Sequence, residues 1–335
     1  MKRGLLAKII LPVILATTAY ANPMQDSKRD PFNSEFKKSK TVTEQPYSLK
    51  AKEKNPVDKY AIVMVGSSRG GKDYSDPIDK NNFWLNGTFT YKYLEELGFD
   101  KLYMFYADGK PDFNEKVNSP TIKKLKKKFK GNSKNYAATT ENLESLIDKL
   151  SKKIDNNDIF ILVIETHGNP TILEMEGDGW DLSVWNLQRI LEKIKPGYGL
   201  LYIDACHSGA FIKNLDLPNF TILSATGDHT YGWGDRGFSS SRYFFQSLLN
   251  PESDFNVDGK VTIREAFDKT KVDANNHLAR IWNFLLTRYN WEEEENTEKL
   301  AKKISVTPEI IVGEKSSDQF YIFDSWYFVK EKKKK

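Results

Sequence analysis

Sulfur and imidazole are scarce in this chain: one cysteine, Cys206, and four histidines among 335 residues. A single cysteine excludes an internal disulfide framework, so Cys206 is either a small buried hydrophobe or a reactive thiol. Long apolar runs are missing as well. The run from Ile9 to Leu15 falls far short of the ~20 residues that a membrane-spanning helix needs. Nor does one sign of charge dominate. The net charge is +4, with lysines scattered through loops and tails, whereas a dedicated nucleic-acid binder clusters them on one face. No nucleic-acid partner and no organic cofactor are therefore expected.

The chain opens MKRGLLAKIILPVILATTAYAN, with basic Lys2 and Arg3, a short apolar run, and Ala19-Tyr20-Ala21. These are the three parts of a secretory signal peptide cut after Ala21. The mature protein is expected to be exported, to the periplasm or the medium. No cysteine follows the cut, so no lipid anchor or other stable membrane attachment is expected. In an oxidising compartment a lone thiol stands out.

Organisation follows from pattern. Residues 1–21 are the signal and 22–57 a flexible Lys-rich leader or propeptide without the apolar content for a core. Residues 58–250 hold apolar runs that read as strands: KYAIVMV, KLYMFY, DIFILVIE, GLLYID and FTILS. Between them lie helical patterns in NNFWLNGTFTYKYLEELGFD, TTENLESLIDKLSKKI and WDLSVWNLQRILEKIKPGYG. Residues 251–330 form a C-terminal extension expected to pack on that domain, with a long helical stretch and possible late strands in IIVG and FYIF; residues 331–335 are a basic tail. The Lys-rich stretch near residues 121–130 reads as a solvated segment. Strands alternating with helices predict a mostly parallel sheet covered on both faces. Ligands of such sheets bind beyond the carboxyl ends of the strands.

Two of those ends carry chemistry. His167-Gly168 follows DIFILVIET, and Cys206 follows LLYIDA. One intervening helix lets the two strands be neighbours, joined by a right-handed crossover. Cys206 and His167 would then share one sheet edge, as a thiol nucleophile and its proton-transfer partner must. The backbone N–H groups of Gly168 and Cys206 are placed to hold an oxyanion.

An apolar block ending in His-Gly, followed by one ending in Asp-Ala-Cys-His-Ser-Gly, resembles the caspase-like cysteine peptidases, which include caspases, metacaspases, legumains, gingipains and clostripain. The resemblance runs from about Tyr60 to Asn250 and implies an α/β three-layer sandwich with a C-terminal helical extension. It implies Cys206 as nucleophile, His167 as the acid that protonates the leaving amine, and Gly168 with Cys206 as oxyanion donors. YIDACHSGAF is similar to the legumain pattern, with Asp204 where legumains have Glu. Asp-x-Cys-His-Ser-Gly is closer to metacaspases, while YGWGDRGFSSSRYFF looks like bacterial legumain relatives. A carboxylate at position 204 in metacaspases and clostripain goes with cleavage after Arg or Lys, since it attracts a cation. Its bland role is a buried carboxylate tied to loop N–H groups. Asp228, Trp233 and Asp235, in the loop after SAT, are further candidates for the substrate pocket; each could equally serve the loop. His207 is expected to point to the opposite face from Cys206.

A second constellation lies at residues 254–265, DFNVDGKVTIRE, which fit the EF-hand spacing D-x-[DN]-x-[DN]-G-x5-E. Asp254, Asn256, Asp258, the Lys260 carbonyl and Glu265 would supply oxygens to Ca2+. A tight turn needing no metal would use the same residues.

The leading expectation is an exported cysteine endopeptidase acting on peptide or protein substrates through a Cys/His dyad and a thioester, after Arg or Lys. Cleavage after Asn, transfer of the acyl group to an amine, and a calcium-stabilised binding scaffold stay open. The sequence carries no oligomer signal.

Overall fold

In the computed structural model, residues 57–66, 77–106, 109, 127, 135–176, 182–230, 232, 239–289 and 309–312 are described. The expected signal segment, the expected leader apart from Val57, all of residues 121–130 except Lys127, Trp233, Asp235, FYIF and the basic tail lie outside them. No helix among the described residues is long and apolar enough to cross a membrane.

Along the chain run β1 (Lys59–Val65), α1 (Pro77–Glu96), β2 (Lys101–Tyr106), β3 (Asn135–Tyr136), α2 (Thr140–Leu150), β4 (Ile159–Glu165), β5 (Ile172–Leu173) and β6 (Leu182–Ser183). After these come α3 (Val184–Leu191), β7 (Tyr198–Asp204), α4 (Ser208–Ile212), β8 (Phe220–Ser224), α5 (Ser240–Leu248), α6 (Ile263–Tyr289) and β9 (Glu309–Val312). The main sheet has the order β3-β2-β1-β4-β7-β8-β9. Its pairings are parallel except that of β9 with β8.

The apolar runs are buried because helices cover both faces. One face carries Ala61, Val63, Ile161, Val163, Leu200 and Tyr202, packed with Trp84 and Phe89 of α1, Phe244 and Phe245 of α5, and Ile263 and Phe267 of α6. The other carries Ile62, Met64, Leu162, Ile164, Leu201 and Ile203, packed with Leu143 and Ile147 of α2, Leu187 and Ile190 of α3, and Phe211 of α4. A three-layer α/β sandwich results, as the strand and helix alternation predicts. Each residue of β4 is buried, so this central strand reads as an unbroken hydrophobic run.

Helix starts follow side-chain capping. Thr139, Ser183 and Ser239 accept N–H bonds from Asn142, Asn186 and Arg242 at the starts of α2, α3 and α5. The Ser183 cap explains why α3 is shorter than its sequence pattern: Leu182 and Ser183 pair instead with β5 in a small antiparallel ladder. IIVG does extend the sheet at the β8 edge, through β9.

Candidate active site

β4 and β7 are adjacent and parallel, with Glu165 opposite Asp204 at their last residues. Two residues beyond each carboxylate come His167 and Cys206, so both leave the sheet at the same carboxyl edge. The strands stay together past their formal ends, since the Thr166 N–H donates to the Asp204 carbonyl at 3.1 Å. Gly168 lies against the following turn: a Cβ there would stand 3.2 Å from both the Cys206 carbonyl oxygen and Ala205 Cβ.

His167 is held from two sides. Phe83 of α1 meets its imidazole edge-on, with ring centroids 5.0 Å apart. On the backbone, the Glu174 N–H donates to the His167 carbonyl and the Asn169 N–H to the Ile172 carbonyl, both at 2.9 Å. These bonds bracket the Gly168–Leu173 bridge and leave the Gly168 N–H out of the hairpin pairing. Gly66, at the end of β1, abuts the same hairpin; a side chain there would run into Thr166 and the Glu174 carbonyl.

Cys206 is half-buried, with its sulfur 3.3 Å from the N–H of Gly232, which donates to it. Burial pushes the thiol above its ordinary range. The N–H groups of Gly232 and of Cys206 itself pull it down, while the charges of Asp204 and Glu174 push it up.

His207, next in sequence, takes a left-handed backbone conformation with φ of 57°. Its N–H donates to the Thr230 carbonyl at 2.9 Å and its Nδ1 lies 3.1 Å from the Asp228 carbonyl. The ring therefore braces the loop after β8. Asp228 directs its carboxylate to Lys213, just after α4, at 2.7 Å. Trp233 and Asp235 are beyond the described residues.

Asp204 is half-buried and sits at the start of α5. Its Oδ2 accepts from the Ser241 N–H and lies within hydrogen-bond distance of Ser241 Oγ, each at 2.8 Å; a Ser240 N–H bond adds to these. Both roles anticipated for Asp204 thus meet in one place: a carboxylate tied to N–H groups, two residues from the thiol. Glu165, which the sequence pattern did not single out, is fully buried beside it. Its Oε1 accepts from Thr90 Oγ1 at 2.9 Å and lies 2.8 Å from the same Ser241 hydroxyl. Burial and the Asp204 charge push the Glu165 carboxyl up to about 8, against the pull of Ser241, Thr90 and Arg242. The available signal was positional: Glu165 and Asp204 precede His167 and Cys206 by the same two-residue step.

The loop at 254–265 is a separate feature below α6. Val257 and Gly259 have φ of 58° and 85°, so the chain turns sharply where Gly259 was expected to allow it. Asp254 Oδ2 accepts from the Gly259 N–H at 2.8 Å, Asn256 Oδ1 from Asp258 at 2.9 Å, and Asp258 Oδ1 from Lys260 at 2.9 Å. Glu265 reaches back to the Phe255 and Asn256 N–H groups through Oε1 and to Thr262 through Oε2, while Thr262 Oγ1 accepts from the Glu265 N–H. This is a capping box at the start of α6. The oxygen donors suit a hard cation. As placed, they turn toward backbone N–H groups, and no group of three or more His, Cys, Asp or Glu among the described residues is gathered to hold a metal ion.

The sequence model of the Peptidase C13 family matches residues 91–288. No curated protein matches the chain. Among solved structures, the crystal structure of caspase-1 from Spodoptera frugiperda is similar at 14% identity and a TM-score of 0.45, over 81% of this chain and 94% of that one.

Proposed function

Since the chain belongs to the Peptidase C13 family and is a cysteine-type peptidase, we propose that Cys206 is its nucleophile and His167 its proton-transfer partner. What carries the reading is one arrangement. The only thiol in the chain and a ring-braced histidine emerge two residues beyond the ends of adjacent parallel strands.

In this mechanism the Cys206 thiol passes its proton to His167 as its sulfur attacks the carbonyl carbon of the scissile peptide. The carbonyl oxygen takes the electron pair and is held by the N–H groups of Gly168 and Cys206. Collapse breaks the C–N bond, and His167 gives its proton to the departing amine. Water then attacks the thioester, losing a proton to His167; the C–S bond breaks, the acid product leaves, and His167 returns that proton to the Cys206 sulfur.

Asp204 supports a preference for Arg or Lys at P1, as the carboxylate nearest the sulfur in sequence on the same side of the strand. Export through residues 1–21 completes the proposal. We also propose, from ligand spacing, that residues 254–265 take Ca2+, which requires Glu265 to leave the N–H groups it now holds.

The test is covalent labelling with electrophilic peptides bearing Arg, Lys or Asn at P1. Labelling confined to Cys206, lost in Cys206→Ala and fastest with Arg or Lys, is the expected result. For His167→Ala, kcat/KM should fall by about 10²–10⁴. Equal labelling of Cys206→Ala would overturn the assignment of the nucleophile, and a clear Asn preference would overturn the role of Asp204.

A further inference from the structure

Ser241 has one hydroxyl hydrogen, yet its oxygen faces two carboxyl groups at the same distance. Glu165 Oε1 and Asp204 Oδ2 each lie 2.8 Å from it. Were both carboxyls ionised, one of them would confront a lone pair of the serine oxygen, because a hydroxyl donates once and accepts twice. A proton on one carboxyl resolves this. Ser241 then donates to one side and accepts from the other, with its remaining lone pair directed to Ser239 Oγ at 3.2 Å.

The surroundings identify the protonated member. Burial raises the Asp204 carboxyl too, but Asp204 is only half-buried over the whole residue and receives backbone N–H bonds from Ser240 and Ser241 at the start of α5, where the helix dipole also favours an anion. Glu165 is 1% exposed, receives hydroxyls only, and its Oε2 has no hydrogen-bond partner among the described residues. A buried anion with one bare oxygen is the costlier arrangement. The charged or titratable groups around Glu165 are Asp204 and Tyr202 of β7 and Arg242 of α5; β1 contributes Val65 and α1 contributes Thr90, neither of which titrates. With Glu165 neutral, the buried Arg242 cation and the Asp204 anion balance. The raised affinity of Glu165 for its proton agrees with this placement.

We propose that Glu165 and Asp204 form one specificity unit sharing a single proton through Ser241, so that the pocket floor presents one negative charge to a cationic P1 side chain. Glu165 acts here as a positioning residue. Its O–H bond to Ser241 directs the serine hydrogen to Asp204 and fixes the orientation of that carboxylate. This rests on the reading of Asp204 as the P1 contact. When Glu165 loses its proton the unit carries two negative charges, and an Arg side chain, which stays charged, gains over its neutral isostere citrulline.

Two measurements on the full chain test it. First, infrared difference spectroscopy between acid and alkaline pH should show a protonated carboxylic acid band that titrates in the neutral to alkaline range and vanishes in Glu165→Gln. Should Glu165→Gln not fold, Ser241→Ala should move the band toward that of an acid lacking an acceptor. Second, the ratio of kcat/KM for matched Arg and citrulline P1 peptides should rise several-fold across the same range in the wild type and stay flat in Glu165→Gln. A wild-type spectrum without the band, or a rise that survives Glu165→Gln, overturns the shared proton. A protein that cleaves neither peptide overturns the P1 reading instead, and the infrared band then still decides the proton.

Discussion

Gly168 and Cys206 approach so closely that a Cβ on Gly168 would lie 3.2 Å from the Cys206 carbonyl oxygen. Both residues are proposed to donate N–H bonds to one oxyanion, so their separation sets the width of that hole. Gly168→Ala leaves the N–H in place but presses the hairpin away from the β7 turn. Because Leu173 and Ala205 must yield only by tenths of an ångström, the expected change in melting temperature is small. The cost should fall on kcat, approaching the roughly 10²-fold associated with one lost oxyanion donor. Steady-state kinetics beside a thermal melt checks this. A variant that melts far earlier while keeping its kcat would show that Gly168 serves the hairpin alone.

The thiol offers an independent probe of Asp204. Burial is the largest influence raising the Cys206 pKa, and the Asp204 charge adds to it. Asp204→Asn removes that charge, lowers the thiol pKa and enlarges the thiolate fraction at any pH below it. Alkylation by iodoacetamide at pH 7 should therefore quicken several-fold, because the thiolate is the form that reacts. Cleavage of Arg peptides should slow in the same variant. The opposite directions separate specificity from unfolding, which would expose the thiol and abolish cleavage at every P1 residue.

The strands, and the placing of His167 and Cys206 at one sheet edge, were legible because burial on both faces writes β1, β4 and β7 as continuous apolar runs, and a glycine or polar turn closes each one. Cys206 was legible for a different reason: it is the only cysteine in the sequence. Glu165 was not, since one acidic residue at the end of an apolar run looks like an ordinary strand terminus. Its meaning depends on the in-register pairing with Asp204 and on Ser241, which is distant along the chain. The short ladder of β5 and β6 was invisible too, as two-residue strands have no period to detect. In the 254–265 loop the ligand pattern is plain in sequence. The capping box formed by Thr262 and Glu265 uses the same glutamate, and only the fold displays that competition.

That competition makes calcium testable by melting. If Ca2+ draws Glu265 from its N–H partners to the cation, binding links to stability, and a hundredfold excess over Kd adds about 2.7 kcal/mol. For a chain of this size the melting temperature should then rise by about 4 °C on replacing EDTA with Ca2+. Asp254→Ala should abolish the rise. An identical melting temperature in Ca2+ and EDTA would establish the loop as a metal-free cap for α6. In that case Glu265→Ala should still cost roughly 0.5–2 kcal/mol through the lost cap.

Glu165 should also leave a mark on stability that needs no substrate. Its carboxyl binds a proton more tightly in the folded chain, where burial and Asp204 push it to about 8, than in the unfolded chain near its ordinary 4.5. Between those values the folded state holds a proton that the unfolded state has released, so stability falls as pH rises through the window and levels off above it. Gln cannot ionise, and Glu165→Gln removes this slope. Relative to wild type, the variant should therefore gain stability steadily from about pH 5 to pH 8, whatever the offset between them at pH 5. Denaturant titrations at half-unit steps would read the difference directly. Parallel curves across the window would mean that Glu165 is ionised in the folded protein, and the single proton assigned to its pairing with Asp204 would have to be withdrawn.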